Sequence, residues 1–160
     1  QVQIAEGGYM KMDTTQIKGV DSTKRVTTAS LGPRARLVIR EKLMTHGVQM
    51  AESDFTVDLD GEDAGVDLVS RSVARGQSHQ VFRSRINGNT RCTGHSECDA
   101  IIMDEGVVSA IPELTAANID ASLIHEAAIG KIAGEQLVKL MTLGLTEEEA
   151  EAKIIEGFLK

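Results

Sequence analysis

Residues 55–73 read FTVDLDGEDAGVDLVSRSV, and the alternation within this stretch decides the fold class. Phe55, Val57 and Leu59 leave one side of an extended chain, while Thr56 and Asp58 leave the other, because successive strand side chains point to opposite faces. Asp60-Gly61 interrupts the pattern as a turn does, and Val66–Val73 (VDLVSRSV) resumes extended, β-branched sequence. Outward from here similar runs recur at Arg36–Leu43 (RLVIREKL), Gln80–Ile86 (QVFRSRI), Ala100–Met103 (AIIM) and Val107–Ile111 (VVSAI). Turn signals at Asn87-Gly88-Asn89 and Glu105-Gly106 separate them. From Val2 to about Ile119 no helical period intervenes, so residues 1–119 are expected to form one mainly β domain. Many short strands leave a sandwich, a barrel and a β-helix open. With one Tyr, three Phe and no Trp, the core must be built from small aliphatic side chains, which suit a narrow, stacked interior. The acidic run Asp58, Asp60, Glu62, Asp63 and Asp67 reads as a solvated turn region.

Near residue 120 the pattern changes, and residues 120–160 are expected to be helical. Ala133–Leu143 (AGEQLVKLMTL) sets Leu137, Leu140 and Met141 along one stripe. Gly144 stands where a left-handed C-terminal cap is wanted. Thr146 followed by Glu149 is a capping box, and Glu147–Glu149 make an acidic first turn. The second helix, Glu147–Leu159, carries Ala150, Ile154, Ile155 and Phe158 on its apolar side. The two form a helical hairpin, either a packed cap or a platform for a partner.

The charge is uneven. Residues 1–50 hold eight Lys/Arg against four Asp/Glu, and residues 51–160 hold nine against twenty. Overall acidity argues against generic nucleic-acid binding. Gln1 to Asp13 has no apolar run flanked by a cleavage site, and no stretch nears the roughly 18 apolar residues of a membrane span. A cytoplasmic setting without membrane insertion is therefore expected. There Cys92 and Cys98 stay reduced, and two nearby thiols serve metal binding or chemistry more often than a disulfide.

The densest concentration of reactive side chains is Arg91–Asp99 (RCTGHSECD), with Cys92, His95, Glu97, Cys98 and Asp99. Thiolate and imidazole are ligands for iron, zinc or copper, but Cys-x2-His-x2-Cys is not a zinc-site spacing. If the segment is extended, Cys92 and Cys98 share a face and His95 points away, unless Gly94 turns the chain. A second pair, His125-Glu126, precedes the helices and can ligate metal or shuttle protons. Ile129 occupies the second His position of an HExxH motif, so a zincin is excluded. No Walker A motif or G-x-S-x-G elbow is present.

Three segments together resemble the SufB/SufD family. They are Arg75–Asp104, above all Glu97-Cys98-Asp99-Ala100-Ile101-Ile102; His125-Glu126-Ala127-Ala128-Ile129-Gly130-Lys131-Ile132; and Glu135-Gln136-Leu137 with Leu140–Ala150 (LMTLGLTEEEA), closing on Glu156-Gly157-Phe158. The resemblance runs from about residue 30 to the end. It implies a right-handed parallel β-helix followed by a short helical hairpin. It also implies a scaffold role in iron–sulfur cluster assembly, or a SufD-like structural subunit that holds no cluster. In either case the chain is not an enzyme, and ATP hydrolysis belongs to a SufC-type ABC ATPase docked on the helical region, through Leu137, Leu140, Met141, Leu145, Ile154 and Phe158. Members pair through their β-helices, here as a homodimer or a SufB/SufD-like heterodimer. By resemblance Cys98 is the persulfide acceptor and a cluster ligand, and Glu126 and His125 are further ligands. Cys92 and His95 are auxiliary candidates, Cys92 being alternatively a small buried filler. The cluster would be transient and absent from protein purified in air. Arg91, His95 and His125 are candidate neighbours that would lower the Cys98 pKa.

Overall fold

The structure, a computed structural model, describes residues 1–17 and 19–160. In chain order the elements are β1 (Val2–Ile4), β2 (Tyr9–Gln16), β3 (Ser22–Leu31), β4 (Arg36–Thr45), β5 (Met50–Leu59), β6 (Ala64–Ala74), β7 (His79–Gly88), β8 (Cys92–Ile102), β9 (Val107–Ala116), β10 (Ala121–Gly130), α1 (Gly134–Met141) and α2 (Glu147–Phe158). Odd-numbered strands form one five-stranded sheet, β1-β3-β5-β7-β9, and even-numbered strands the other, β10-β8-β6-β4-β2. Every adjacent pair is parallel. Each circuit of the chain therefore lays one strand on each sheet. This is the β-solenoid with two C-terminal helices that the resemblance implied, and it sets aside the sandwich and the barrel.

Register explains why these residues stack. Pairing places Ala29 beside Val57 and Val57 beside Ile86 in one sheet. In the other it places Leu37 beside Val66 and Ile39 beside Leu68. Alternate residues turn inward, so like positions of successive circuits meet in columns between the sheets. Leu31, Leu37, Ile39, Phe55, Val57, Leu59, Leu68 and Ile86 are sealed from solvent there. The Phe55 and Phe82 rings meet at 5.9 Å.

Outside, polar side chains pair along the solenoid axis between residues 28 or 29 positions apart, one circuit on. Asn87 donates to Asp58 at 2.7 Å and Asn89 to Asp60 at 2.8 Å. Arg91 grips Asp63 through two bonds of 3.0 Å. Asp60, Glu62 and Asp63 form the exposed turn expected, while Asp58 lies in β5 and Asp67 in β6, and the run supplies one side of these ladders. The interior also has a polar section, where buried Glu41 accepts from Arg25 at 2.8 Å, Ser53 at 2.6 Å and Ser70 at 2.8 Å. Those partners compensate the burial of a carboxylate.

The strand region extends past the expected boundary at residue 119. Residues 121–130 form β10, and helix begins only at Gly134. The helical hairpin itself is as read. Gly144 has φ 96°, and Thr146 and Glu149 form the reciprocal capping box. Against the solenoid, α2 sets Glu151 3.7 Å from Arg75, and Ile155 and Leu159 share a groove with Ile17 and Met44. Leu137, Leu140, Leu145, Ile154 and Phe158 are half-buried, while Met141 is exposed.

Candidate functional site

Strand β8 is extended through Cys92–Ile102, and Gly94 does not turn it. Cys92 and Cys98 accordingly share the inward face with Gly94 and Ser96, and His95 and Glu97 face out. Gly94 is there for want of room: a Cβ would stand 2.7 Å from Leu123 Cδ2 and 3.0 Å from Ile86 Cγ2. Strand β10 adds the second half of the site in register, with His125 beside Ser96, Glu126 beside Glu97 and Ala127 beside Cys98. His125-Glu126 thus lies within a strand, not at the strand-to-helix boundary, and its two side chains part to opposite faces.

The inward group contains Cys98 and His125. Cys98 is 1% exposed and continues the column Glu41–Ser70. Burial pushes its thiol up to about 12, with the negative charges of Asp99 and Glu41 adding to the rise. The expected activation by neighbouring cations is therefore not found. Arg91 is engaged by Asp63, and His95 faces outward. Cys92 is also buried, and that burial raises its thiol against an opposing bond from Thr90. Burial lowers the His125 pKa against an opposing contact with the Ser96 backbone, and neither ring nitrogen has a partner at full hydrogen-bond geometry among the described residues. β10 is the last strand of its sheet, and Ala127, which neighbours Cys98 in register, is exposed. Cys98 thus lies one strand from the end of the solenoid.

The outward group gathers His95, Glu97 and Glu126, whose ligating atoms lie within 4.8 Å of one another. His95 Nδ1 is 2.9 Å from Asp67 Oδ1, and Nε2 is 3.2 Å from Glu126 Oε2. Asp67 is in turn paired with Arg40, whose Nη1 also donates to the Asp67 carbonyl at 3.1 Å. The bond from Asp67 raises the His95 pKa above the ordinary imidazole value. Partial burial opposes that rise, and Glu126 adds to it. Burial pulls the Asp67 carboxyl upward, but His95 and Arg40 outweigh it and hold the carboxyl low. Glu97 is raised, first by its bond to Asp99 and then by burial. Arg40, Asp67, Arg71, His95 and Glu97 line a groove of about 610 Å³. Asp67 lies one circuit before His95, a neighbour that only the solenoid register reveals.

A raised His95 pKa contributes stability that is complete below about pH 6.5 and is lost as pH rises through the folded-state value. Asp67→Asn is expected to bring the His95 titration down toward or below the ordinary value. An imidazole NMR titration of the two proteins reads this directly; an unmoved midpoint would deny the contact its role.

Comparison with known proteins settles the family. The family model described as the SufBD core domain of the SUF system for FeS cluster assembly matches residues 1–158. This chain belongs to the SufBD family. A SufBD family iron–sulfur cluster assembly protein of Methanothermobacter thermautotrophicus is 32% identical over 148 residues, covering 91% of this chain and 36% of the relative. One from Archaeoglobus fulgidus is 30% identical over 161 residues, covering 99% of this chain and 43% of the relative. The SufBD chain in hand thus spans less than half the length of these relatives. No helix of this SufBD protein, among the described residues, is long and apolar enough to cross a membrane.

Proposed function

We propose that this SufBD chain is a scaffold that builds a nascent iron–sulfur cluster and passes it on. It works in the cytoplasm with a SufC-type ABC ATPase docked on α1 and α2. It pairs through its solenoid with a second copy or a SufB/SufD-like partner, and ATP hydrolysis stays with the ATPase. The observation that carries this reading is the placement of Cys98 on the inner face of β8, one strand from the end of its sheet, beside His125 on the inner face of the end strand β10. Ring nitrogens shielded from solvent without a well-formed hydrogen bond call for a ligand or a solvent contact. The edge of β10 also leaves backbone groups ready for another chain.

In this reading Cys98 accepts sulfur and ligates iron, and His125 and Glu126 complete the ligation. Glu126 faces the other side of the sheet, so the cluster belongs at the rim of β10, where the two faces meet. Mixed thiolate, imidazole and carboxylate donors hold iron less firmly than four thiolates, which suits a cluster that must leave. Cys98 must first lose its proton, through opening of the rim or through iron itself, because metal binding displaces protons from thiols.

The burial of Cys98 favours a second reading, a SufD-like subunit that docks the ATPase and supports a partner without holding a cluster. Anaerobic reconstitution with iron and sulfide, read by visible absorption, separates the two. Cluster absorption in the wild type that is lost in Cys98→Ala is the expected result. Absorption retained in the variant would remove Cys98 from the ligand set, and none in either protein would select the SufD-like role.

A further inference from the structure

We propose that His95, Glu97 and Glu126 form a binding site for a divalent first-row cation of the iron(II) class on the outer face of the solenoid, one that shares Glu126 with the proposed cluster ligands but takes no donor from the thiol compartment inside. It deepens the scaffold reading by giving iron a place to dock that needs no sulfur ligand.

The strand geometry builds this site from simple parts. His95 and Glu97 are two residues apart on β8 and so leave the same face. Glu126 projects from the adjacent strand directly beside Glu97. Three side chains from two parallel strands therefore converge, with their ligating atoms within 4.8 Å. One imidazole nitrogen and two carboxylates are the oxygen- and nitrogen-rich donors that suit iron(II) or manganese(II).

The orientation of His95 is the independent support. Asp67 is 2.9 Å from Nδ1, while Nε2 is turned toward Glu126. A carboxylate on one ring nitrogen fixes the tautomer and aims the lone pair of the other, the arrangement found behind metal-bound histidines. Asp67 is itself held by Arg40, so the ring is braced through two residues that would not touch the metal. The same groups without a metal make an Asp67–His95–Glu126 bridge. Glu97 has no part in that bridge.

Manganese(II) is the probe, because it binds these donors and is read by electron paramagnetic resonance without sulfide or reductant. Titration of the full chain is expected to show one bound manganese. His95→Gln, Glu97→Gln and Glu126→Gln are each expected to weaken it at least tenfold. Asp67→Asn, which removes only the brace, should weaken it by roughly 10-fold or more. Glu113→Gln, an exposed carboxylate paired with Arg85 elsewhere on the solenoid, should leave it unchanged. The three donors face outward, so circular dichroism should show the fold intact in every variant. No binding at millimolar manganese, or binding that survives loss of Glu97, would overturn the site. Cluster reconstitution run alongside keeps the two ideas apart. Manganese bound without cluster formation upholds this site while the scaffold reading fails. A cluster formed without manganese binding upholds the scaffold reading while this site fails.

Discussion

Gly61→Ala is expected to destabilise the protein by about 3 kcal/mol, lowering Tm by roughly 6–12 °C. Gly61 lies in the turn from β5 to β6, stacked on the turn of the preceding circuit. A Cβ there would fall 2.0 Å from Pro33 N and 2.1 Å from the Gly32 carbonyl carbon. Both are backbone atoms, so no rotamer change makes room. The Gly61 N–H also donates to the Leu31 carbonyl at 3.0 Å, a bond that any separation of the turns would stretch. In a solenoid each circuit rests only on its neighbours, so the strain concentrates at one interface. Gly157→Ala is the matched control. It lies within α2 with nothing within 4 Å of its added Cβ, and a helical alanine should raise stability by up to about 1 kcal/mol. Thermal melts of the two variants should move in opposite directions. An unchanged Tm for Gly61→Ala would mean that the turns stack more loosely than described.

The Cys98 thiol is expected to react with alkylating reagents about 1,000-fold more slowly in the folded protein than in the unfolded chain at pH 8, because the thiolate is the reactive form. Burial, Asp99 and Glu41 together push its pKa up to about 12 from 9.0. That rise alone gives the factor, before any steric protection. Asp99→Asn should recover only part of the rate, because burial leads the shift. The same displacement makes the folded state lose stability as pH rises above 9, since the unfolded thiol ionises first. Mass spectrometry of timed labelling, with and without denaturant, reads Cys98 apart from Cys92. Equal rates in the two states would show that the thiol is open to solvent and already activated.

Alternation made the central strands legible. Phe55, Val57 and Leu59 face inward as their spacing requires, and the capping box at Thr146 needed only its own four residues. Strand β3 was hidden because Thr23, Arg25 and Thr27 occupy inward positions that a pattern search expects to be apolar. Strand β10 was hidden for a related reason. After Leu123 its inward positions hold His125 and Ala127, and an alanine-rich segment with Glu reads as helix. The circuit repeat left no trace in the letters either, since one column runs Leu37, Val66, Gly94, Leu123. What recurs is direction and spacing. The split of Cys92 and Cys98 from His95 followed from extension alone. The bracing of His95 by Asp67 did not, because it joins residues one circuit apart.

The most direct test of the scaffold account is iron K-edge X-ray absorption on the chain reconstituted anaerobically and transferred to thiol-free buffer. With Cys98 joined by His125 and Glu126, iron is predicted to show nitrogen or oxygen scatterers alongside sulfur. Iron surrounded by sulfur alone would contradict the account, because it would draw every protein ligand from cysteine and leave the β10 residues no part in holding the cluster.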